Sequence, residues 1–386
     1  MRPPSSDPYP LAEWIDRYLQ RFLAHGLERF VDQRGGGFHE ALGANGVATS
    51  EPKRLVVQCR QVYVFSHAAR LAGPPECLEA ARRGVEFLTE HYWDESAGGW
   101  FFSVGPADHA ADRTRDLYAH AFALFALAHH HAATGDAGAL AAALATQRFI
   151  DERFRDPVNG GFHEALDPEL QPLPRVRRQN PHMHLLEAAL ALADSSGHSA
   201  ATSLAEQLYA LMRQRFLDVA TGTLREFFTD DWQFHPEEGH VVEPGHHFEW
   251  AWILERYADL TDTAEARGLA DALREWGWHH GRDAVHGGIF DAVDPRGTPL
   301  RDSKRIWPQL EVLKAFAVHH ERTLDPNSRE RLVAALGYLR ERYLRPDGSW
   351  IEHLDRSGAP TNQRLPGSTG YHLFLGLTEA RRALGR

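Results

Sequence analysis

The chain reads DQRGGGFHEAL at residues 32–42 and DPVNGGFHEAL at residues 156–166. Weaker copies run DESAGGWFFSV from Asp94, DVATGTLREFF from Asp218, DAVHGGIFDAV from Asp283 and RPDGSWIEHL around Asp347. The six leading aspartates lie 62, 62, 62, 65 and 64 residues apart. So steady a period means one supersecondary unit repeated, each copy stacked on its neighbours to bury a face that it cannot bury alone.

Each interval holds two helix-like segments. The clearest pair is PHMHLLEAALALADSSG followed by ATSLAEQLYALMRQRFLD, with Ala and Leu at helical spacing. RLVVQCRQVYVFSHAARLAG and ECLEAARRGVEFLTEHYW repeat the alternation, and three further apolar segments each precede an amphipathic one. LAEWIDRYLQRFLAHGLERF and YHLFLGLTEARRALG, at the two ends, are single helices that can pair with each other. Twelve helices in six pairs predict an all-α fold, an (α/α)6 barrel. The more apolar first helix of each interval belongs to its inner ring. The glycines of GGFHEAL, placed before a short β-prone run, predict turns and short β-hairpin loops at one mouth. Because the period is unbroken, residues 1–386 are expected to form a single catalytic domain.

With 43% apolar and 25% charged residues, the chain can bury a sizeable core. A formal net charge of −11 argues against nucleic acid as a partner. No apolar run reaches the length of a membrane span, and MRPPSSDPYP lacks a signal-peptide core, so no membrane partner and a cytoplasmic location are expected. Cys59 and Cys77 form neither a disulfide framework nor a zinc pattern and are expected to be buried free thiols.

The repeat also serves as a ruler. Twenty-eight residues beyond successive leading aspartates stand Arg60, Phe122 (near Tyr118 and His120), His184, His246 and Glu311, and the shorter last unit places His372 at 25. Equivalent positions of a ring of repeats point in equivalent directions, so these polar residues are expected to converge on one cavity. An apolar centre would have no use for them, since each unpaired buried charge costs on the order of several kcal/mol. Asn180-Pro181, Pro244-Gly245 and Pro366-Gly367-Ser368 are helix-start signals that place the histidines in first turns. Converging helix N-termini there would favour an anion and a neutral imidazole.

QCRQVYVFSHAAR with Arg60, NPHMHLLEA with His184, PGHHFEW with His246 and Glu249, and PGSTGYHLF with His372 resemble, in order and spacing, the N-acylglucosamine 2-epimerase family over essentially the whole chain. The resemblance implies an (α/α)6 barrel that epimerises or isomerises sugars next to the carbonyl, and the wording is closest to the mannose isomerase branch. It implies His246 and His372 as the acid/base pair, His184 as an aid to ring opening and Arg60 as the ligand of the enediolate oxygens. One position departs from the pattern: some 2-epimerases carry Asp after the motif histidine, where this chain has His247.

The residues support that chemistry independently. A proton α to an aldehyde is weakly acidic, so its removal needs a base of pKa near about 7 and a cation at the developing oxygens. The histidines and Arg60 supply both. Glu249, one turn beyond His246, is expected to orient its imidazole, with the second histidine on the opposite side. Tyr118, Trp250, Trp307, Glu311 and Asn180 are expected to bind the sugar, the aromatic rings by stacking. The resulting expectation is a cofactor-independent isomerase taking D-mannose to D-fructose, working as a monomer or homodimer on a monosaccharide. The first alternative is a sugar 2-epimerase. The second is an (α/α)6 glycoside hydrolase, which would need two opposed carboxylates, with Glu249, Glu311 and Glu187 as candidates. A non-catalytic scaffold leaves the histidine convergence unexplained. No metal is expected. The runs His129-His130-His131, His279-His280 and His319-His320 fall toward helix ends, where a basic side chain suits the dipole. His182 and His184 diverge on a helix, and the carboxylate cluster of a metal-dependent isomerase is not evident in the sequence.

Overall fold

The structure, a computed structural model, describes residues 10–105 and 109–385. Its twelve α-helices among the described residues fall into two kinds. Helices α1 (Leu11–Arg29), α3 (Pro75–His91), α5 (Ala137–Phe149), α7 (Ser199–Leu211), α9 (Ala264–His280) and α11 (Pro326–Arg342) bury one face and leave the other to solvent. Helices α2 (Leu55–Arg70), α4 (Leu117–Thr134), α6 (Gln179–Ser196), α8 (Pro244–Thr261), α10 (Ile306–Thr323) and α12 (Gly370–Leu384) are buried on nearly every side. The difference is legible in residue pattern. LYAHAFALFALAHHHAAT of α4 is apolar all round, as a helix enclosed by others must be, whereas PECLEAARRGVEFLTEH of α3 concentrates its charge on one face.

The buried helices touch in a cycle: α2 with α4, α4 with α6, α6 with α8, α8 with α10, α10 with α12 and α12 with α2. Each remaining helix packs on one of them, and α1 packs on α12, so the two ends of the chain meet. No helix of the described residues is long and apolar enough to cross a membrane. Cys59 and Cys77 are free and buried.

The short strands form two kinds of pair, one between neighbouring units and the other the expected hairpins within a unit. Lys53–Arg54 pairs with Ser103–Val104, Arg115–Asp116 with Ala165–Leu166, Arg177–Arg178 with Phe227–Phe228, and Lys304–Arg305 with His353–Leu354. A single Val242–Val293 bridge continues the series, and Ala41–Leu42 pairs with Leu365–Pro366, joining first unit to last. Local hairpins occur as well, at Ser103–Val104 with Ala110–Asp112, Leu217–Asp218 with Thr223–Leu224, and Ala292–Val293 with Pro299–Arg301, and the bridges Leu42–Ala48, Leu166–Pro172, Phe228–Phe234 and Leu354–Pro360 close the same kind of turn in the other units. A two-residue strand is too short to sustain a hairpin alone, and most of these strands bind the neighbouring unit as well.

The leading aspartates make that stitching rigid. Asp94 Oδ1 accepts the backbone N–H groups of Ser96 and Ala97 at 2.9 and 3.2 Å, closing the glycine turn, while its Oδ2 accepts from Arg115 at 2.6 Å. The cation stands 21 residues after the aspartate in four units: Asp32 with Lys53, Asp94 with Arg115, Asp156 with Arg177 and Asp283 with Lys304. Each lies on the strand leading into a buried helix. The turn needs its glycines: Gly99 has φ +76°, and a Cβ there would lie 2.5 Å from the Phe149 ring. The fourth residue of the next buried helix holds the chain just beyond the turn. Gln58, His120, His182, His247 and Gln309 accept the backbone N–H of Phe38, Trp100, Phe162, Leu224 and Ile289 respectively. Three of the chain's histidines are thereby structural.

Each buried helix starts 23 residues after its aspartate except α8, which starts 26 after Asp218. The fixed ruler therefore slips in the fourth unit. Arg60, Phe122, His184, Glu249 and Glu311 are each the sixth residue of their helix, while His246 and His372 are each the third. The two histidines are equivalent to one another and sit one turn nearer the helix start than the other four polar residues.

Arg115 is fully buried and Asp94 is 6% exposed. Replacing Arg115 by Met leaves that carboxylate only the exposed Arg113 as a cation, at 3.5 Å, and should destabilise the fold by about 2–4 kcal/mol in urea unfolding. A loss below about 1 kcal/mol would show the clamp to be dispensable.

Candidate active site

A cavity of about 210 Å³ opens among the first turns of the buried helices. Arg60, Tyr118, Asn180 and His184 line it from α2, α4 and α6, and Glu243, His246, Glu249, Arg305, Trp307 and His372 from α8, α10, α12 and their leads. Eight of the ten residues expected at the site come together here.

The other two do not face the cavity. Trp250 is fully buried, and its Nε1 donates to Gln179 Oε1 at 2.7 Å, so its ring packs between α8 and α6 and cannot stack on a sugar. Glu311 is also fully buried and accepts from His372 Nδ1 at 2.7 Å. It holds an imidazole rather than a ligand.

Each cavity histidine has its own carboxylate. His184 Nδ1 lies 3.0 Å from Glu187, His246 Nδ1 2.9 Å from Glu226 and His372 Nδ1 2.7 Å from Glu311. A carboxylate on Nδ1 fixes that nitrogen as the N–H donor and leaves Nε2 to meet a ligand. His246 Nε2 also lies 3.3 Å from the Asn180 amide. Glu249 was the expected partner of His246, but it sits deeper. Its Oε1 is 4.0 Å from both His184 Nε2 and His372 Nδ1, and it accepts from the Tyr371 hydroxyl at 3.5 Å. His246 and Glu249 share a helix face, but each has another partner: Glu226 takes His246 Nδ1 at 2.9 Å, while Glu249 stands toward Tyr371 and Lys314. His246 and His372 do not stand on opposite sides of the ring. They flank Trp307, with ring centroids 5.0 and 5.6 Å from it.

Arg60 donates to the Tyr118 hydroxyl at 2.6 Å and to the Ser368 carbonyl at 3.2 Å, and its guanidinium lies 4.2 Å from the Phe122 ring centroid. Beneath the cavity, Lys314 places its ammonium 2.7 Å from Glu311 and 3.9 Å from Glu249, over the Trp252 ring. Tyr371 donates to Glu187 at 2.6 Å.

These contacts drive the imidazoles apart. Burial opposes charge on His246, but the charge and hydrogen bond of Glu226, followed by Glu243 and Glu249, lift it to about 9. His372 is held well below the ordinary histidine value by burial, then by Arg60 and Lys314. Burial takes His184 down to about 4 despite Glu187. Burial, with Glu311 and Glu187 alongside, pushes Glu249 up to about 8. The expected lowering by helix N-termini is therefore not the controlling effect, and His246 moves the other way.

Sequence reasoning missed Glu226, Glu187 as a histidine partner, Lys314, Tyr371, Glu243 and Arg305. Glu226 had a signal: Glu40, Glu164, Glu226 and Asp291 all stand eight residues after their aspartates, inside the repeated phrase. The missing carboxylate cluster is also present. His184, Glu187 and Glu249, and likewise Glu249, Glu311 and His372, bring ligand-type atoms within 4.8 Å of one another. The Lys314 ammonium already stands against the second group. The histidine runs do not converge. His130 meets Ser66, His131 the Asp136 carbonyl, His319 Ser328 and His320 the Asp325 carbonyl.

Residues 36–376 match the N-acylglucosamine 2-epimerase (GlcNAc 2-epimerase) family. The chain is 35% identical over 395 residues to a mannose-6-phosphate isomerase of Rhizobium meliloti (strain 1021), with 97% of each covered. It is 27% identical to a D-mannose isomerase of Thermobifida fusca, over 92% of this chain and 89% of that one. A solved D-mannose isomerase shares the fold with a TM-score of 0.89 at 20% identity, covering 99% of this chain and all of the other. Fold, cavity and relatives together define a sugar isomerase or epimerase. The chain belongs to the N-acylglucosamine 2-epimerase family.

Raising His246 from 6.5 to about 9 makes its ion pair with Glu226 a source of stability. That stability is fully present below the unfolded value and is lost as pH rises through the folded one. Glu226→Gln should remove it, so the difference in unfolding free energy between wild type and variant should shrink from about pH 6 to about pH 10. A difference that stays constant over that range would show that the pair is not charged in the folded protein.

Proposed function

We propose that the chain is an (α/α)6 barrel, a single catalytic domain that interconverts D-mannose and D-fructose through an enediol, by histidine proton transfer without a cofactor. The observation that carries this reading is the pair His246 and His372. They occupy equivalent helix positions, line one cavity and differ in charge, which is how two like groups come to act as acid and base.

Neutral His372 takes the C2 proton of the open-chain aldose while cationic His246 gives its proton to O1, with Arg60 beside the oxygens. The polarity then reverses: His372 returns its proton to C1 and His246 takes the proton on O2. One proton has passed from C2 to C1 and one from O2 to O1, and both imidazoles end as they began. His184, neutral and on the same wall, assists ring opening. Return of the proton to the other face of C2 would instead give the 2-epimer, the second reading that this site supports.

The geometry favours these over hydrolysis. The two carboxylates lining the cavity, Glu243 and Glu249, belong to α8 and its cap and do not oppose each other. An unphosphorylated sugar is favoured because Arg305 is held by Asp291 at 3.1 Å and by Glu243 at 3.4 Å, leaving a carboxylate rather than a free cation at the mouth. The Lys314 ammonium among the deep carboxylates supplies their positive charge from the chain itself.

His246→Ala and His372→Ala should each lower kcat by at least about a thousandfold with unchanged helical circular dichroism. A variant keeping a tenth of wild-type turnover would remove that residue from the acid/base role. Arg60→Lys should be a poor substitute. In D₂O, mannose should give fructose labelled at C1, read by NMR. Glucose labelled at C2 would make the enzyme an epimerase, and faster turnover of mannose 6-phosphate than of mannose would reverse the assignment of substrate. Dialysis against a strong chelator should leave turnover unchanged, and loss restored by a divalent ion would replace this mechanism.

A further inference from the structure

Four repeats share one backbone hydrogen bond. The N–H of the residue just before the buried helix donates to the acidic residue of the repeated phrase: Arg54 to Glu40 at 3.0 Å, Arg178 to Glu164 at 2.7 Å, Glu243 to Glu226 at 3.3 Å and Arg305 to Asp291 at 2.8 Å. These four pairs are therefore equivalent in space. In three of them the arginine side chain also claims the carboxylate, with Nε at 2.6, 2.9 and 3.1 Å. The fourth pair has Glu243 where the others have arginine. Its own carboxylate turns away to Arg301 at 2.8 Å and Arg305 at 3.4 Å.

The consequence falls on Glu226. Without a guanidinium to hold it, its carboxylate accepts from His246 Nδ1 at 2.9 Å and from Gln179 Nε2 at 2.8 Å. We infer that Glu243 is a positioning residue: by replacing the arginine of the other repeats it leaves Glu226 free to hold His246, and so converts one scaffold clamp into part of the active site. The inference rests on the reading of His246 as the proton donor, and adds to it the residue that releases its partner.

The surroundings of His246 leave Glu226 as its decisive neighbour. Glu243 is 3.7 Å from its Nδ1 and shares the helix end, and Glu249 lies a turn deeper. Asn180 approaches from α6 and Trp307 from α10, while Arg305 and His184 line the same cavity. Only Glu226 hydrogen-bonds the imidazole as an anion among the described residues. A guanidinium at position 243, placed as in the other three repeats, would draw that anion away from the ring.

The test is to restore the arginine. Glu243→Arg should lower kcat for mannose by about a hundredfold. It should also move the high-pH limb of the kcat profile, expected near His246's value of about 9, downward by at least about one unit. Glu226→Gln should do the same, and the double variant should be little worse than either, because both remove one interaction. Glu243→Gln, which removes one of the lesser charges raising His246 but adds no guanidinium, should move the limb less than half as far as Glu243→Arg. If Glu243→Arg fails to fold, the same substitution in an Arg301→Gln background removes the guanidinium it would crowd, with the same shift expected. An unmoved limb in the folded arginine variant, or losses that multiply in the double variant, would overturn the inference. Should His246→Ala be inactive while the arginine variant keeps its limb, this inference alone fails. Should His246→Ala stay active, the reading beneath it fails.

Discussion

At the floor of the cavity, an ammonium and three carboxylates are packed together inside the barrel. Lys314, Glu311, Glu249 and Glu187 are each at most 3% exposed. Carboxylates in such surroundings protonate or destabilise the fold unless a cation accompanies them. Lys314 is that cation, 2.7 Å from Glu311 and 3.9 Å from Glu249. The site above depends on the balance: Glu311 holds His372, and Glu187 holds His184 and the Tyr371 hydroxyl. His372 is thereby oriented by a carboxylate and kept neutral by burial together with nearby cations, a combination that a lone buried histidine would not reach.

The scaffold under this cluster is nearly symmetric, and the chemistry comes from departures from symmetry. Aspartate clamps, glycine turns and the fourth-position Gln or His recur around the ring and set where each buried helix begins. On that frame the sixth helix residue is Arg60, Phe122, His184, Glu249 or Glu311, and the third is histidine in α8 and α12. The same backbone position thus delivers Arg60, His184 and Glu249 to one cavity, and sets Phe122 and Glu311 behind its wall. Glu226 shows how little must change: it keeps the backbone bond of Glu40 and Glu164 but turns its carboxylate onto a histidine.

Spacing along the chain misplaces a side chain where local geometry overrides it. A three-residue lengthening before α8 brought His246 under a ruler mark that belongs to Glu249. Glu249 shares a helix face with His246, yet Glu226 takes the imidazole and Glu249 meets the Tyr371 hydroxyl. Trp250 stands one residue from a site position, but neighbouring residues on a helix point about 100° apart, and its indole faces Gln179 rather than the cavity.

What the sequence by itself determined was the repeat, and with it the number and order of the helices, which of them are enclosed, and the convergence of Arg60, His184, His246 and His372. Those are properties of period and local pattern, carried by apolar residues at helical spacing and by glycines that only certain turns require. Tertiary structure alone decided which carboxylate serves which histidine, that Glu311 stands behind His372 while Trp307 faces the cavity, and that Lys314 neutralises the cluster. Two of those pairings join residues distant in the chain, His246 to Glu226 across 20 positions and His372 to Glu311 across 61. Their strength depends on distance and on the exclusion of water, and neither exists until the helices have closed around them.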